Sequence, residues 1–394
     1  MTDGPEGSEN DPCPTRRTLA AGDRFLPLWI AAAMVGGLAF GRLAPASIVG
    51  AIGGWDLPGT PVPAAIGAGL VLMMYPPLVR VRYDELPRVF RNTRLLALSL
   101  LLNWGVGPFV MLGLGLLLLR GYPELLVGLV LIGSARCIAM VLVWNELAGG
   151  SREYAAGLVA FNSLFQVAFY GIYVYTFVTI FLPAAGAPAL PVPVSPALVA
   201  YSVVVFLGLP FAAGVLTRWA HRTAGRLADL DGRIGPALAP VSLGALLYTI
   251  VLLFAFQSSA ILASPVEVVL VAVPLVAYFV VMFFLSFGLG RWARAEYPEN
   301  AALSLTAASN NFELAITVAV AVFGITSTVA LAATVGPLVE VPVLLGLVTI
   351  ARYLGSHSAP RAPGEEPDRL RASRVSPEEP LPRPTAEIGG DRAR

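Results

Sequence analysis

Gly133-Ser134-Ala135-Arg136-Cys137 interrupts an apolar run that extends from about Tyr122 to Leu147. A small-residue break, a full positive charge and a thiol are out of place in hydrocarbon, where a central Arg costs about 2.5 to 3.5 kcal/mol on insertion scales. Groups elsewhere in the chain must offset that cost. The counterpart lies far downstream, where Ser309-Asn310-Asn311-Phe312-Glu313 breaks a second apolar run with two amides and a carboxylate. Two interrupted helices that meet at mid-membrane account for both stretches.

Composition sets the frame for that reading. The 394 residues are 56% hydrophobic and 13% charged, with a mean hydropathy of +0.74, whereas a soluble domain carries about 25% charge. An all-α polytopic membrane protein follows. Every basic side chain is Arg, and the net charge of +1 gives no reason to expect a nucleic-acid partner. Cys13 and Cys137 fall in a polar tail and at mid-membrane, so neither a disulfide framework nor a CxxC metal site is available. The acidic, Pro-rich first twenty residues do not read as a signal peptide.

Ten apolar segments can be counted, each long enough for the roughly 20 residues a bilayer demands. They run from about Phe25 to Leu43, Pro63 to Val79, Leu95 to Leu119, Tyr122 to Leu147, and Tyr154 to Leu182. The second five run from about Ala197 to Leu216, Ile234 to Phe256, Val266 to Leu289, Asn300 to Phe323, and Thr328 to Ile350. Gly37 and Gly41 in the first segment have the spacing of a close helix contact. Residues 1–23 and 355–394 are polar, Pro-rich tails expected to be disordered and cytoplasmic.

Arginines gather on one side. Arg16, Arg17 and Arg24 precede the first segment, and Arg80, Arg82, Arg88, Arg91 and Arg94 surround the end of the second. A basic loop with Arg218, Arg222, Arg226 and Arg233 follows the sixth, and Arg291 and Arg294 follow the eighth. The opposite loops hold Arg42 and Arg120. The positive-inside rule therefore puts both termini in the cytoplasm. Ten segments divide into five-helix repeats, 24–183 and 184–354, and an odd number per repeat inverts the second. The breaks fall in the fourth member of each, helices four and nine, which is the pattern of inverted-repeat transporters with discontinuous helices.

Cys137 lies near the middle of its segment, with Met140, Val141 and Trp144 on its helical face. It is either a buried structural thiol or a soft ligand for a thiophilic solute. Glu313 lies at a similar depth, with Ser309 and Asn310 one turn earlier. A carboxylate there must be protonated, paired or solvated by a cavity. It is a candidate proton carrier or, alternatively, an ion-pair partner for Arg136. Glu340 is a candidate proton-relay group. Asn310 and Asn311 can bond freed backbone or a hydroxylated solute. Asn103, Asn162 and Gln166 are expected to tie helices together. His221 and His357 lie in polar segments, and no catalytic or metal-ligand constellation lies at membrane depth, so neither an enzyme nor a cofactor is expected.

Several stretches together resemble the arsenical-resistance-3 arsenite permeases, relatives of the bile acid/sodium symporters. They are Met73-Met74-Tyr75-Pro76-Pro77 with Val81-Arg82-Tyr83, Asn103-Trp104 with Gly107-Pro108, and Ala135-Arg136-Cys137-Ile138-Ala139-Met140 with Val143-Trp144-Asn145. Arg152-Glu153-Tyr154-Ala155-Ala156-Gly157 with Ala160-Phe161-Asn162-Ser163, Ser309-Asn310-Asn311-Phe312-Glu313-Leu314-Ala315 and Gly336-Pro337-Leu338-Val339-Glu340-Val341-Pro342 complete the set. The resemblance implies ten transmembrane helices in the plasma membrane. It also implies export of arsenite, in some members also antimonite, by proton exchange, with Cys137 and Glu313 as the required residues. A central cavity shared by those two, with Arg136, Asn310 and Asn311 around the solute and Glu340 assisting the proton, is the expected site. A sodium-coupled organic-anion symporter on the same scaffold is the alternative.

Overall fold

The computed structural model describes residues 26–58, 62–81, 92–187, 195–263 and 265–356. Cys13, Arg16, Arg17, Arg24, Arg82, Arg88, Arg91, His357 and both expected tails beyond these limits lie outside the described residues. Among the described residues the chain is helical throughout, with no strand beyond an isolated bridge between Asp56 and Pro63.

Helix α1 (Leu26–Leu43) turns through 118° into the short α2 (Ala46–Gly53), and α3 (Ala64–Arg80) runs through Pro76 and Pro77. Helix α4 (Thr93–Leu118) precedes α5 (Pro123–Gly133) and α6 (Met140–Ala148), which are separated by the first polar stretch. Next come α7 (Arg152–Ala184), α8 (Pro196–Thr223), α9 (Leu227–Phe256), the short α10 (Ser258–Ala263) and α11 (Pro265–Trp292). The second polar stretch separates α12 (Tyr297–Ala308) from α13 (Phe312–Phe323), and α14 (Thr328–Ser356) ends the described chain. Among the described residues seven helices are long and apolar enough to cross a membrane: α4, α7, α8, α9, α11, α12 with α13, and α14. The bent pair of α1 and α2 would make an eighth. Apolar α3 and α5 are shorter.

The arginine-rich stretch between α8 and α9 is helical where a basic loop is expected. Helix α8 continues to Thr223 and α9 starts at Leu227, so only 224–226 remain, with Gly225 at φ 67° closing the turn. His221 and Arg222 occupy the last turn of α8, where cations complement the negative end of the helix dipole. Arg218 bonds Asp231 at 2.9 Å and links the two helices. The polarity of this stretch marks where the chain leaves hydrocarbon, and the helices extend beyond that point.

Helix α9 packs along α1 and α3, and α8 packs along α3. A second group joins α4, α5, α11 and α12, with α7 against α12 and α6. The start of α8 touches both α7 and α13. Elements from the two halves of the sequence therefore interleave. The first half of each interrupted helix lies against the second half of the other, α5 against α13 and α12 against α6. The apolar 18-residue stretch across α12 and α13 is 89% buried, against 28% for that of α7, so the second interruption lies deep in the molecule.

The α1–α9 contact explains the glycine spacing. A Cβ on Gly37 or Gly41 would come closer than 3.0 Å to the backbone carbonyl oxygen of Val251 or Ala255, whereas Gly36 faces open space. Gly41→Val should push α1 off α9 and destabilise the protein by about 1 to 3 kcal/mol, the usual cost of overpacking. Gly36→Ala should be neutral. Thermal unfolding of the detergent-purified variants checks this, and equal unfolding temperatures for both would refute it.

Candidate functional site

Helix α5 ends at Gly133, where the Ser134 hydroxyl turns back to donate to the Val130 carbonyl at 2.9 Å. The chain then runs unwound to Met140. Gln166 of α7 clamps the backbone of Arg136 on both sides. The Arg136 N–H donates to Gln166 Oε1 at 3.1 Å, and Gln166 Nε2 donates to the Arg136 carbonyl at 2.8 Å. The arginine side chain is completely buried. Its Nη1 donates to the Tyr278 hydroxyl at 2.6 Å and the Ala307 carbonyl at 3.4 Å, and its Nη2 donates to the Gly133 carbonyl. Gly107 leaves the room for this group, since a Cβ there would lie 3.0 Å from Nη1.

The ion pair between Arg136 and Glu313 considered from the sequence is not formed. Among the described residues no carboxylate pairs with Arg136. The guanidinium instead lies between the C-terminal ends of α5 and α12, where unpaired carbonyls carry the negative end of each helix dipole.

The second interruption reciprocates. Asn310 Nδ2 donates to the carbonyls of Ile132 and Ala135, both at 2.9 Å, and the Asn311 N–H donates to the Ala135 carbonyl at 3.4 Å. Asn311 Oδ1 accepts from the Leu314 N–H at 3.0 Å and so caps α13. Each interruption thus supplies donors to carbonyls freed by the other.

The two N-terminal ends present different chemistry. Cys137 lies in the unwound stretch rather than mid-helix, and its Sγ accepts from the Val141 N–H at 3.3 Å at the start of α6. It is 4% exposed. Glu313, half-buried, stands in the first turn of α13. Glu340, buried in α14 between Pro337 and Pro342, faces the backbone amide of Asn310. Both carboxylates lie within electrostatic range of the thiol, and Glu313 within range of Glu340. Ser309 Oγ, Asn310 Oδ1 and Glu340 Oε1 are buried acceptors without a protein partner.

Cys137, Glu313, Glu340 and Asn310 are thus gathered at one crossing. Arg136 and Asn311 belong to it as well, although their polar groups are largely engaged in holding backbone. Asn162 accepts from Trp104 Nε1 at 3.1 Å, joining α7 to α4, whereas Asn103 bonds back to Ser99 in its own helix. Tyr278 was not singled out from the sequence. A hydroxyl in the middle of the apolar run of α11 is the signal that could have found it. Among the described residues no group of three His, Cys, Asp or Glu side chains could hold a metal ion.

A cavity of about 540 Å³ opens at the arginine-rich end of the helices, among Arg80, Asn145, Glu146, Arg152 and Asp231. Leu142 of α6 forms part of its wall, so it reaches along the half-helix that begins just after Cys137. Arg152 and Glu146 are ion-paired in its wall.

The model of the Sodium Bile acid symporter family matches residues 68–264. The chain is 44% identical over 341 residues to an arsenical-resistance protein Acr3 of Corynebacterium glutamicum, covering 86% of this chain and 91% of that one. It is 34% identical to an uncharacterized transporter of Synechocystis, over 85% and 89% of the two chains. An arsenical-resistance protein Acr3 of Alkaliphilus metalliredigens is 32% identical, over 84% and 92%. Similarity of this extent over most of each chain is decisive: the protein belongs to the Sodium Bile acid symporter family, within its arsenical-resistance Acr3 group.

Proposed function

We propose that this protein is a secondary transporter that exports arsenite across the plasma membrane in exchange for protons. The observation that carries the reading is the Cys137 thiol at the start of α6, grouped with two carboxylates where the interrupted helices cross. Trivalent arsenic seeks thiols, and arsenous acid near neutrality is an uncharged hydroxide. Cys137 is the one cysteine among the described residues. A single thiol can replace one hydroxyl of arsenous acid, the thiol proton and that hydroxyl leaving as water, to form one reversible As–S bond, and it cannot build the three-sulfur cage that would trap arsenic. Ser309 Oγ and Asn310 Oδ1 are free to accept from the solute hydroxyls.

The same reading places ten spans in the membrane as two inverted repeats, 24–183 and 184–354, with both termini cytoplasmic. The interruptions within the fourth and ninth segments and the one-sided arginines support it. The cavity at the arginine-rich end is then a cytoplasmic vestibule through which arsenite approaches Cys137. A proton from outside binds Glu313, with Glu340 as relay, and returns the carrier. Exchange of an inward proton for a neutral solute gains about 2.3 kcal/mol per 100 mV of membrane potential. Antimonite shares the thiol chemistry and fits the same site. Sodium-coupled transport of an organic anion is the competing reading, and it requires that removing sodium abolish transport.

Everted membrane vesicles under an imposed proton gradient test the thiol. Native protein should accumulate arsenite without sodium, and Cys137→Ala should lower uptake by about tenfold or more, equivalent to at least about 1.4 kcal/mol. Undiminished uptake in Cys137→Ala would make the cysteine structural. Glu313→Gln should stop accumulation driven by the pH gradient while leaving arsenite exchange between equal pools. Full gradient-driven accumulation in that variant would remove Glu313 from proton coupling.

A further inference from the structure

Interrupted membrane helices commonly hold a small cation with unwound carbonyls and half-helix C-terminal ends. The matched family carries sodium in its name. In this protein two such ends already face a cation, and it is a side chain. Arg136 Nη2 bonds the Gly133 carbonyl at the end of α5, while Nη1 bonds the Ala307 carbonyl in the last turn of α12 and the Tyr278 hydroxyl from α11. The Tyr278 ring lies 5.9 Å from Cζ, within reach of a cation–π attraction. Carbonyl oxygens, a hydroxyl and two negative dipole ends, with no carboxylate paired to the guanidinium among the described residues, form a cradle for one monovalent positive charge.

We propose that Arg136 is a tethered cation. Its guanidinium permanently occupies the position that a sodium ion would take between the two half-helix ends, and it thereby sets which ion this carrier uses. Two features built around it support this. Gly107 vacates the space that Nη1 fills. Gln166 fixes the backbone of Arg136 on both sides, so the charge cannot leave the cradle as a coupling ion must. Ion coupling is therefore left to groups outside the cradle. The proposal rests on family membership and this geometry and does not depend on which solute is carried.

The test uses the purified full chain and no transported solute. Thermal unfolding is followed in sodium chloride and in choline chloride at equal ionic strength, for native protein, Arg136→Ala, Arg136→Met and Arg136→Lys. The native protein should unfold at the same temperature in both salts. Arg136→Ala should unfold earlier in choline and recover by about 3 °C or more with sodium or with low concentrations of guanidinium, as expected for a ligand that binds only the folded state. Arg136→Lys, which keeps a tethered charge, should not respond to sodium. If Arg136→Ala fails to accumulate in membranes, sodium or guanidinium in the growth medium should restore it while Arg136→Lys accumulates unaided. Three results would overturn the proposal: sodium stabilisation of the native protein, Arg136→Met as stable in choline as native, or an Arg136→Ala that neither cation stabilises or restores. Because arsenite is absent throughout, such a failure leaves the arsenite reading untouched, and failure of arsenite uptake leaves this one untouched.

Discussion

Two helices interrupted inside an apolar molecule expose backbone carbonyls and amides where water cannot satisfy them, and the rest of the architecture answers that constraint. Each buried polar group left unpaired costs on the order of 1 to 3 kcal/mol, and more within lipid. The solution is reciprocal. Asn310 and the amide of Asn311 serve the end of α5, Arg136 serves the ends of both α5 and α12, and Gln166 pins the backbone between them. Each interruption draws hydrogen-bond donors from the other. The pairing of α5 with α13 and of α12 with α6 brings the partners within reach.

That mutual capping also sorts the chemistry by charge. C-terminal half-helix ends concentrate negative potential, and they hold the guanidinium. N-terminal ends concentrate positive potential, and they carry Cys137 and Glu313. The guanidinium and the thiol, neighbours in sequence, are thus turned to helix ends of opposite polarity. Small residues make the crossing compact: Gly107 beside the guanidinium, Gly133 against Met111, and Gly336 under the Phe312 ring. A side chain at any of them would meet an atom that has little freedom to move.

Much of this was legible along the chain. Apolar segments of membrane length, the two polar interruptions, the one-sided arginines and the glycine spacing in α1 all express local rules, because hydrocarbon penalises each exposed polar group wherever it occurs. The helices α8 and α9 extend beyond their apolar stretches because hydropathy reports where lipid ends, and an exposed helix with favourable end charges continues past that point. The segments around Cys137, Glu313 and Glu340 could be recognised as polar intrusions, since a thiol or carboxylate at such depth needs a reason. Cys137 was expected on a helical face, but its place in an unwound stretch depends on Gln166 and Asn310 holding the backbone there.

Residue order alone therefore dictated that there are helices, where they break, and which polar side chains lie at the breaks. It could not dictate who pairs with whom. Arg136 had a plausible carboxylate partner in Glu313, yet the fold turned it to the neighbouring Gly133 carbonyl and to Ala307 and Tyr278, two distant residues that stand out in no motif. Asn103 and Asn162 read alike, yet one bonds within its own helix and the other reaches Trp104. Hydrogen bonds have a range of about 3 Å, so partners more than a hundred residues apart are chosen only once packing has brought their helices into contact.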